Sequence, residues 1–186
     1  MRELSLHILD VLQNAREAGA TRVDLAIEED LAEDRLTIEV KDNGRGMKEE
    51  AVRRVLDPFF TTRKTRHVGL GLPLLAAAAE RCDGKLEIES TPGLGTRVRA
   101  TFRHSHIDRA PIGDMAGTLV SFLLGDPPCD LVYLHRYDDR TFHLDTDEVH
   151  RELGPVPLSH PTVREWLGSY IEQAEKDLTC SAAESV

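Results

Sequence analysis

Cysteine is scarce in this chain, and what there is cannot staple a fold. Cys82, Cys129 and Cys180 are an odd number at spacings of 47 and 51 residues, which gives neither a disulfide framework nor a Cys-x-x-Cys metal knuckle. They read as free thiols. Long apolar runs are missing too. The longest candidate, Leu70 to Ala79, is broken by Gly71 and Pro73 and falls short of the roughly 18 to 20 residues that cross a bilayer, which excludes a membrane span. Arg2, Glu3 and Asp10 interrupt the first ten residues, so there is no signal-peptide hydrophobic region and a cytoplasmic location is expected. Positive charge is short as well: 23 Lys plus Arg stand against 33 Asp plus Glu, for a net charge of −10.

That charge is unevenly spread over the 186 residues. Residues 1–103 hold 17 basic and 18 acidic side chains, whereas residues 104–186 hold 6 and 15, so the second part carries −9 of the −10. Such a segment repels a phosphate backbone, which argues against nucleic acid as its partner. At about 100 to 200 residues per domain, the length fits one large domain or one domain with an appendage, and the charge step favours the second. The expected division is 1–103 and 104–186, with the acidic segment packed on the first domain or on a second subunit.

Leu4, Ile8, Val11, Leu12 and Ala15 have helical spacing, which predicts a helix over Arg2 to Ala18 with Gly19 as its C-cap. Period-two alternation then marks strands at Val23-Leu25-Ile27, Leu36-Ile38-Val40, Leu86-Ile88 and Val98-Ala100-Phe102, each with one buried face. Between the second and third lie helical stretches at Lys48 to Leu56, stopped by Pro58, and at Leu72 to Cys82, where Pro73 falls in a tolerant first turn. This order describes a two-layer α/β (α+β) sandwich, a sheet with helices on one face. Beyond His104 a smaller α/β segment follows: a helix near Asp114 to Leu124, strands near Leu131 to Tyr137 and Thr141 to Leu144, and helices near Thr146 to Leu153 and Thr162 to Leu178.

Four segments carry chemistry. Asp10 and Asn14 are four apart on the first helix, so they share a face, together with Glu3, His7 and Glu17. Taken alone, that face reads as a solvated surface. Asp42-Asn43-Gly44-Arg45-Gly46-Met47 follows a strand. Asn-Gly is a usual hairpin turn, but a charged helical stretch rather than a partner strand comes next. Its glycines let backbone approach a flat ligand, and Asp42 can accept a hydrogen bond from an exocyclic amine. Thr61, Thr62, Arg63, Lys64 and Arg66 precede Gly69-Leu70-Gly71-Leu72, which opens a helix; glycines there expose N–H groups and the positive end of the dipole to phosphate. Gly93-Leu94-Gly95-Thr96, between two strands, is an ordinary turn by itself. There is no Gly-x-x-x-x-Gly-Lys-Ser/Thr phosphate loop, no third glycine for a dinucleotide fingerprint and no protein-kinase His-Arg-Asp set.

In this order the segments resemble the four boxes of the GHKL (Bergerat-fold) ATPase superfamily of histidine kinases, type II topoisomerases, heat-shock chaperones and mismatch-repair proteins. The resemblance covers about residues 1–103. It implies ATP and Mg²⁺ as cofactors, with Asn14 on the metal, Asp42 on the adenine amine and Gly44, Gly46 and Met47 along the base. It also implies Phe59 and Phe60 at the phenylalanine box, Thr61, Thr62, Arg63 and Lys64 in a short lid, Gly69, Leu70, Gly71 and Leu72 on the phosphates, and Gly93, Gly95 and Thr96 in the last box. Asp10 stands where hydrolytic members carry a glutamate base, one methylene longer. Only 13 residues precede Asn14, which leaves no room ahead of it for the phosphoacceptor hairpin of a histidine kinase. The expected function is a Mg-dependent histidine-kinase-like ATPase or phosphotransferase in intracellular regulation. The alternatives are a slow nucleotide-dependent switch that binds a regulatory protein and an anti-sigma-factor-like serine/threonine kinase. A protein partner or phosphoacceptor and a homodimer are both compatible with this reading.

Two features of the second segment remain. His104 and His106 are two apart on a strand exit, and a metal there would need distant ligands such as His135 or His143; exposed histidines are the commoner case. Trp166 and Tyr170, four apart on the last helix, are expected to pack into the core.

Overall fold

The computed structural model describes residues 3–56 and 71–180. In chain order the elements are α1 (Leu4–Glu17), β1 (Arg22–Asp30), β2 (Arg35–Asp42), α2 (Glu49–Arg54), α3 (Gly71–Arg81), β3 (Lys85–Thr91), β4 (Gly95–Arg103), α4 (Met115–Leu123), β5 (Asp130–Tyr137), β6 (Arg140–Asp145), α5 (Thr146–Leu153) and α6 (Pro161–Cys180). The strands form one six-stranded sheet in the order β3-β4-β2-β1-β5-β6. Every neighbouring pair is antiparallel except β1 with β5, which run parallel.

Alternation sets which face is buried, and the register lines the inward residues up in rows. One row runs Ile88, Val98, Val40, Leu25, Tyr133, Leu144 across all six strands. The next runs Leu86, Ala100, Ile38, Ile27, His135, Phe142. Helices cover this side: α1 on β2, α3 on β3 and β4, α6 on β5 and β6, with α4 wedged between α1 and α6. Leu12, Leu119 and Phe122 are wholly buried there. The opposite face carries charged cross-strand neighbours such as Arg97 with Glu39 and Glu89, as expected for a sheet solvated on one side.

Residues beyond 103 are woven into this frame. β5 pairs with β1, so the second part widens the sheet instead of building another. It also caps α1, which has no side-chain cap of its own: the Leu4 and Ser5 N–H groups donate to the carbonyls of Pro111 and Ile112 at 2.9 and 2.7 Å. These bonds satisfy N–H groups that a helix start leaves open. On α6 the inward stripe is Val163, Leu167, Ile171 and Leu178. Trp166 and Tyr170 are not core residues: they lie beside that stripe, 48% and 44% exposed, and stack on each other at 5.5 Å with Tyr170 edge-on to Phe142. Helical spacing puts residues 166 and 170 on one face, but Leu167 and Ile171 occupy the face that meets the sheet.

A buried polar chain lies under α6. His135 contacts Glu29 through Nε2 at 3.2 Å and Glu175 through Nδ1 at 2.8 Å, Glu175 accepts the Tyr133 hydroxyl at 2.8 Å, and Glu29 also meets His104 at 2.7 Å. The sequence's histidine pair is thereby split: His104 turns to Glu29, whereas the His106 ring accepts the Asp108 N–H.

Candidate functional site

At one end of the sheet the inward row changes character. Where the next rows hold Val and Ile, three strands present Asp42, Thr96 and Ser90 side by side. Asp42 is 8% exposed, and its Oδ1 accepts the Gly44 N–H at 2.8 Å. Burial pushes its carboxyl above the ordinary value, while the N–H groups of Gly44 and Thr96 hold it down.

The loop after Asp42 is not a hairpin turn. Asn43 folds back, its Oδ1 accepting the N–H groups of Thr21 and Arg22, so the chain passes between α1 and the β3–β4 hairpin. The Arg45 N–H donates to Ala18 O at 3.0 Å and Arg45 O accepts the Gly93 N–H at 2.8 Å. Three glycines permit the crowding. A Cβ on Gly44 would stand 3.0 Å from Ala18, one on Gly46 2.0 Å from the Thr91 carbonyl, and one on Gly95 1.9 Å from the Asp42 carbonyl; Gly46 and Gly95 also have φ of +63° and +100°. Beyond the second glycine the Met47 N–H donates to Ser90 Oγ at 2.8 Å.

Asp10 meets the start of α3. A Cβ on Gly71 would lie 3.3 Å from Asp10 Cβ and 3.4 Å from Oδ2, so this glycine lets the carboxylate sit against a helix N-terminus. Asn14 follows one turn later, half-buried, on the same helix. Leu72 turns its side chain into the core, which leaves its backbone N–H in the first turn. His7, read from sequence as part of a solvated face, is buried at 4% exposure, and burial lowers its pKa below the ordinary value.

The structure thus brings Asp42, Gly44, Gly46, Met47, Gly93, Gly95 and Thr96 together at one end of the sheet, and separately sets Asp10 against Gly71, which Leu72 follows in α3, with Asn14 one turn further along α1. Phe59, Phe60, Thr61, Thr62, Arg63, Lys64, Gly69 and Leu70 lie outside the described residues. Sequence reasoning missed Ser90. The signal was its place two after Ile88, a polar residue continuing an inward apolar series.

Among known proteins, the family model of histidine kinase-, DNA gyrase B- and HSP90-like ATPases matches residues 2–106. The sensor histidine kinase YxdK of Bacillus subtilis is 35% identical over 104 residues, which are 53% of this chain and 32% of that protein. Sporulation kinase A of the same organism is 34% identical over 103 residues, 54% of this chain and 16% of that one. The chain spans a third or less of the length of these relatives. In three dimensions it resembles the Aquifex aeolicus MutL ATPase domain complexed with ADP, with a TM-score of 0.54 and 14% identity over 82% of this chain and 69% of that one. The N-terminal domain of a DNA repair protein gives a TM-score of 0.57 and 12% identity over 78% and 53%. Coverage of 82% exceeds what residues 2–106 supply, so the shared fold reaches into the second part of the chain. With the family match over more than half its length and the same mixed sheet under one helical layer, the chain belongs to the histidine kinase-, DNA gyrase B- and HSP90-like ATPase family.

Proposed function

We propose that the polar end of the sheet is a Mg·ATP site, and that the chain is a histidine-kinase-like ATPase or phosphotransferase in signalling or regulation. The observation that carries this is that α1 links two groupings: Asp10 lies against Gly71 at the start of α3, and at the C-terminal end of α1 Ala18 lies against Gly44 beside Asp42, with Gly46 and Gly95 packed into the same loop and hairpin. The residues fit the nucleotide. Asp42 offers a buried acceptor for an exocyclic amine, and the glycines leave room for a flat base against backbone. The N–H groups opening α3 offer donors to phosphate oxygens. The Asn14 side-chain oxygen would hold Mg²⁺, which needs only one or two protein ligands beside water and phosphate, and which would neutralise phosphate charge when bound. The MutL neighbour's ADP complex supports this reading.

Asp10, which lies against the first residue of α3, would take a proton from a water or hydroxyl bound beside that helix N-terminus. Its substitution by Asn should leave Mg·ATP affinity within about threefold and lower turnover by roughly 10²–10⁴-fold. Single-turnover measurements with labelled ATP, alone and with cell lysate supplying acceptor proteins, check this. Equal turnover by wild type and Asp10→Asn would remove Asp10 from the chemistry. Tight binding with no turnover by the wild type would make the chain a nucleotide-dependent switch instead. Residues 1–103 would form the nucleotide-binding unit, with the acidic residues 104–186 facing a basic protein surface, an association that weakens with salt.

A further inference from the structure

The polar row at the end of the sheet has a proton count that fixes its hydrogen-bonding polarity. Ser90 Oγ has three partners: the Met47 N–H at 2.8 Å, the Gly95 carbonyl at 3.0 Å and Thr96 Oγ1 at 2.9 Å. An amide N–H can only donate and a carbonyl can only accept, so the single Ser90 hydrogen goes to Gly95. All three contacts are then satisfied only if Thr96 gives its own hydrogen to Ser90. The Thr96 hydroxyl is left with lone pairs alone. Its strand neighbour Asp42, on the same face, has a carboxylate that already accepts two backbone N–H groups and has no hydrogen to give.

We propose that Ser90 is a specificity-determining positioning residue: by taking the Thr96 hydrogen it keeps the floor of the nucleotide pocket acceptor-only, so that the pocket takes a purine with an amine at position 6 and rejects one with an oxygen there. The inference rests on the Mg·ATP reading. A 6-amino group supplies two N–H donors to this floor. A 6-oxo group sets a further acceptor against Asp42 and Thr96, and buried acceptors facing each other lose their hydrogen bonds without replacement. The same serine holds the Met47 N–H, so the loop that borders the base is tied to the group that sets its polarity.

Affinities for Mg·ATP and Mg·ITP, which differ in the 6-substituent and in the hydrogen that the 6-oxo base carries on N1, test this in the full chain. Wild type binds ATP more tightly than ITP. In Ser90→Ala the Thr96 hydrogen is released to face an incoming oxygen, and the ITP-to-ATP ratio of dissociation constants falls by about tenfold, the value of one hydrogen bond turned from mismatch to match. Ser90→Thr keeps the hydroxyl and keeps the ratio. If Ser90→Ala does not fold, Thr96→Val, which removes the Thr96 acceptor itself from the pocket floor, must narrow the ratio instead. A Ser90→Ala protein that binds both nucleotides more weakly at an unchanged ratio overturns the proposal, because a purely structural serine predicts that result. So does a wild type that does not distinguish the two. A wild type that binds neither overturns the Mg·ATP reading and this inference with it.

Discussion

His135 is held between two carboxylates in the interior. Burial alone would lower its pKa, yet the hydrogen bonds and charges of Glu175 and Glu29 outweigh burial and raise it to about 9. Because the folded value lies above the ordinary 6.5, the interaction stabilises the fold fully below pH 6.5 and is lost as pH rises through about 9. Stability measured by denaturant melts should therefore fall from neutral to alkaline pH. His135→Gln should cost about 3–5 kcal/mol at neutral pH, the usual penalty for stranding buried charges, and should flatten that slope. An unchanged slope in the variant would move the titration to another group. Neither Glu29 nor Glu175 stood out in the sequence, since a carboxylate at an inward strand position and one on a charged helix declare their partner only when strand and helix meet.

Elements were legible where periodicity is local. The α1 stripe, the inward residues of β1, β2 and β4, and the helix that begins around Gly71 all lie where spacing placed them. Pairing was not legible, because alternation reports which residues face inward and says nothing about which strand lies alongside. The parallel contact of β1 with β5 joins residues more than a hundred positions apart. The same limit hid His7, buried on a helix that packs against both α3 and α4. Of the candidate site, Asp42 and the glycines could be read because turn chemistry is local; Ser90 shows in the sequence only as a polar residue ending an inward series, and its role comes from a three-strand register. At this scale the β3–β4 hairpin is tested by Gly95→Ala. With φ of +100° and the Asp42 carbonyl in the way, the variant should lose about 1–3 kcal/mol of stability. It should also bind ATP at least about tenfold more weakly. Wild-type melting and binding would show that the hairpin and the Asp42 loop are not interlocked.

Over the whole molecule, charge and connectivity point in different directions. Residues 104–186 differ sharply in charge from the rest, yet they supply two strands of the sheet, the carbonyls that cap α1 and the α4 wedge. Removing residues 108–186 should expose the β1 edge and the apolar flank of α1, giving a protein that aggregates or melts without cooperativity. A truncated chain with the full-length melting curve would show that the second part is dispensable for folding. The central claim concerns the other end of the sheet, and isothermal titration calorimetry of Mg·ATP into wild type, Asn14→Ala and Asp42→Asn tests it most directly. Saturable binding of one nucleotide per wild-type chain, weakened at least about tenfold in each variant, is the predicted result. No binding by wild type, or wild-type affinity in both variants, would contradict it.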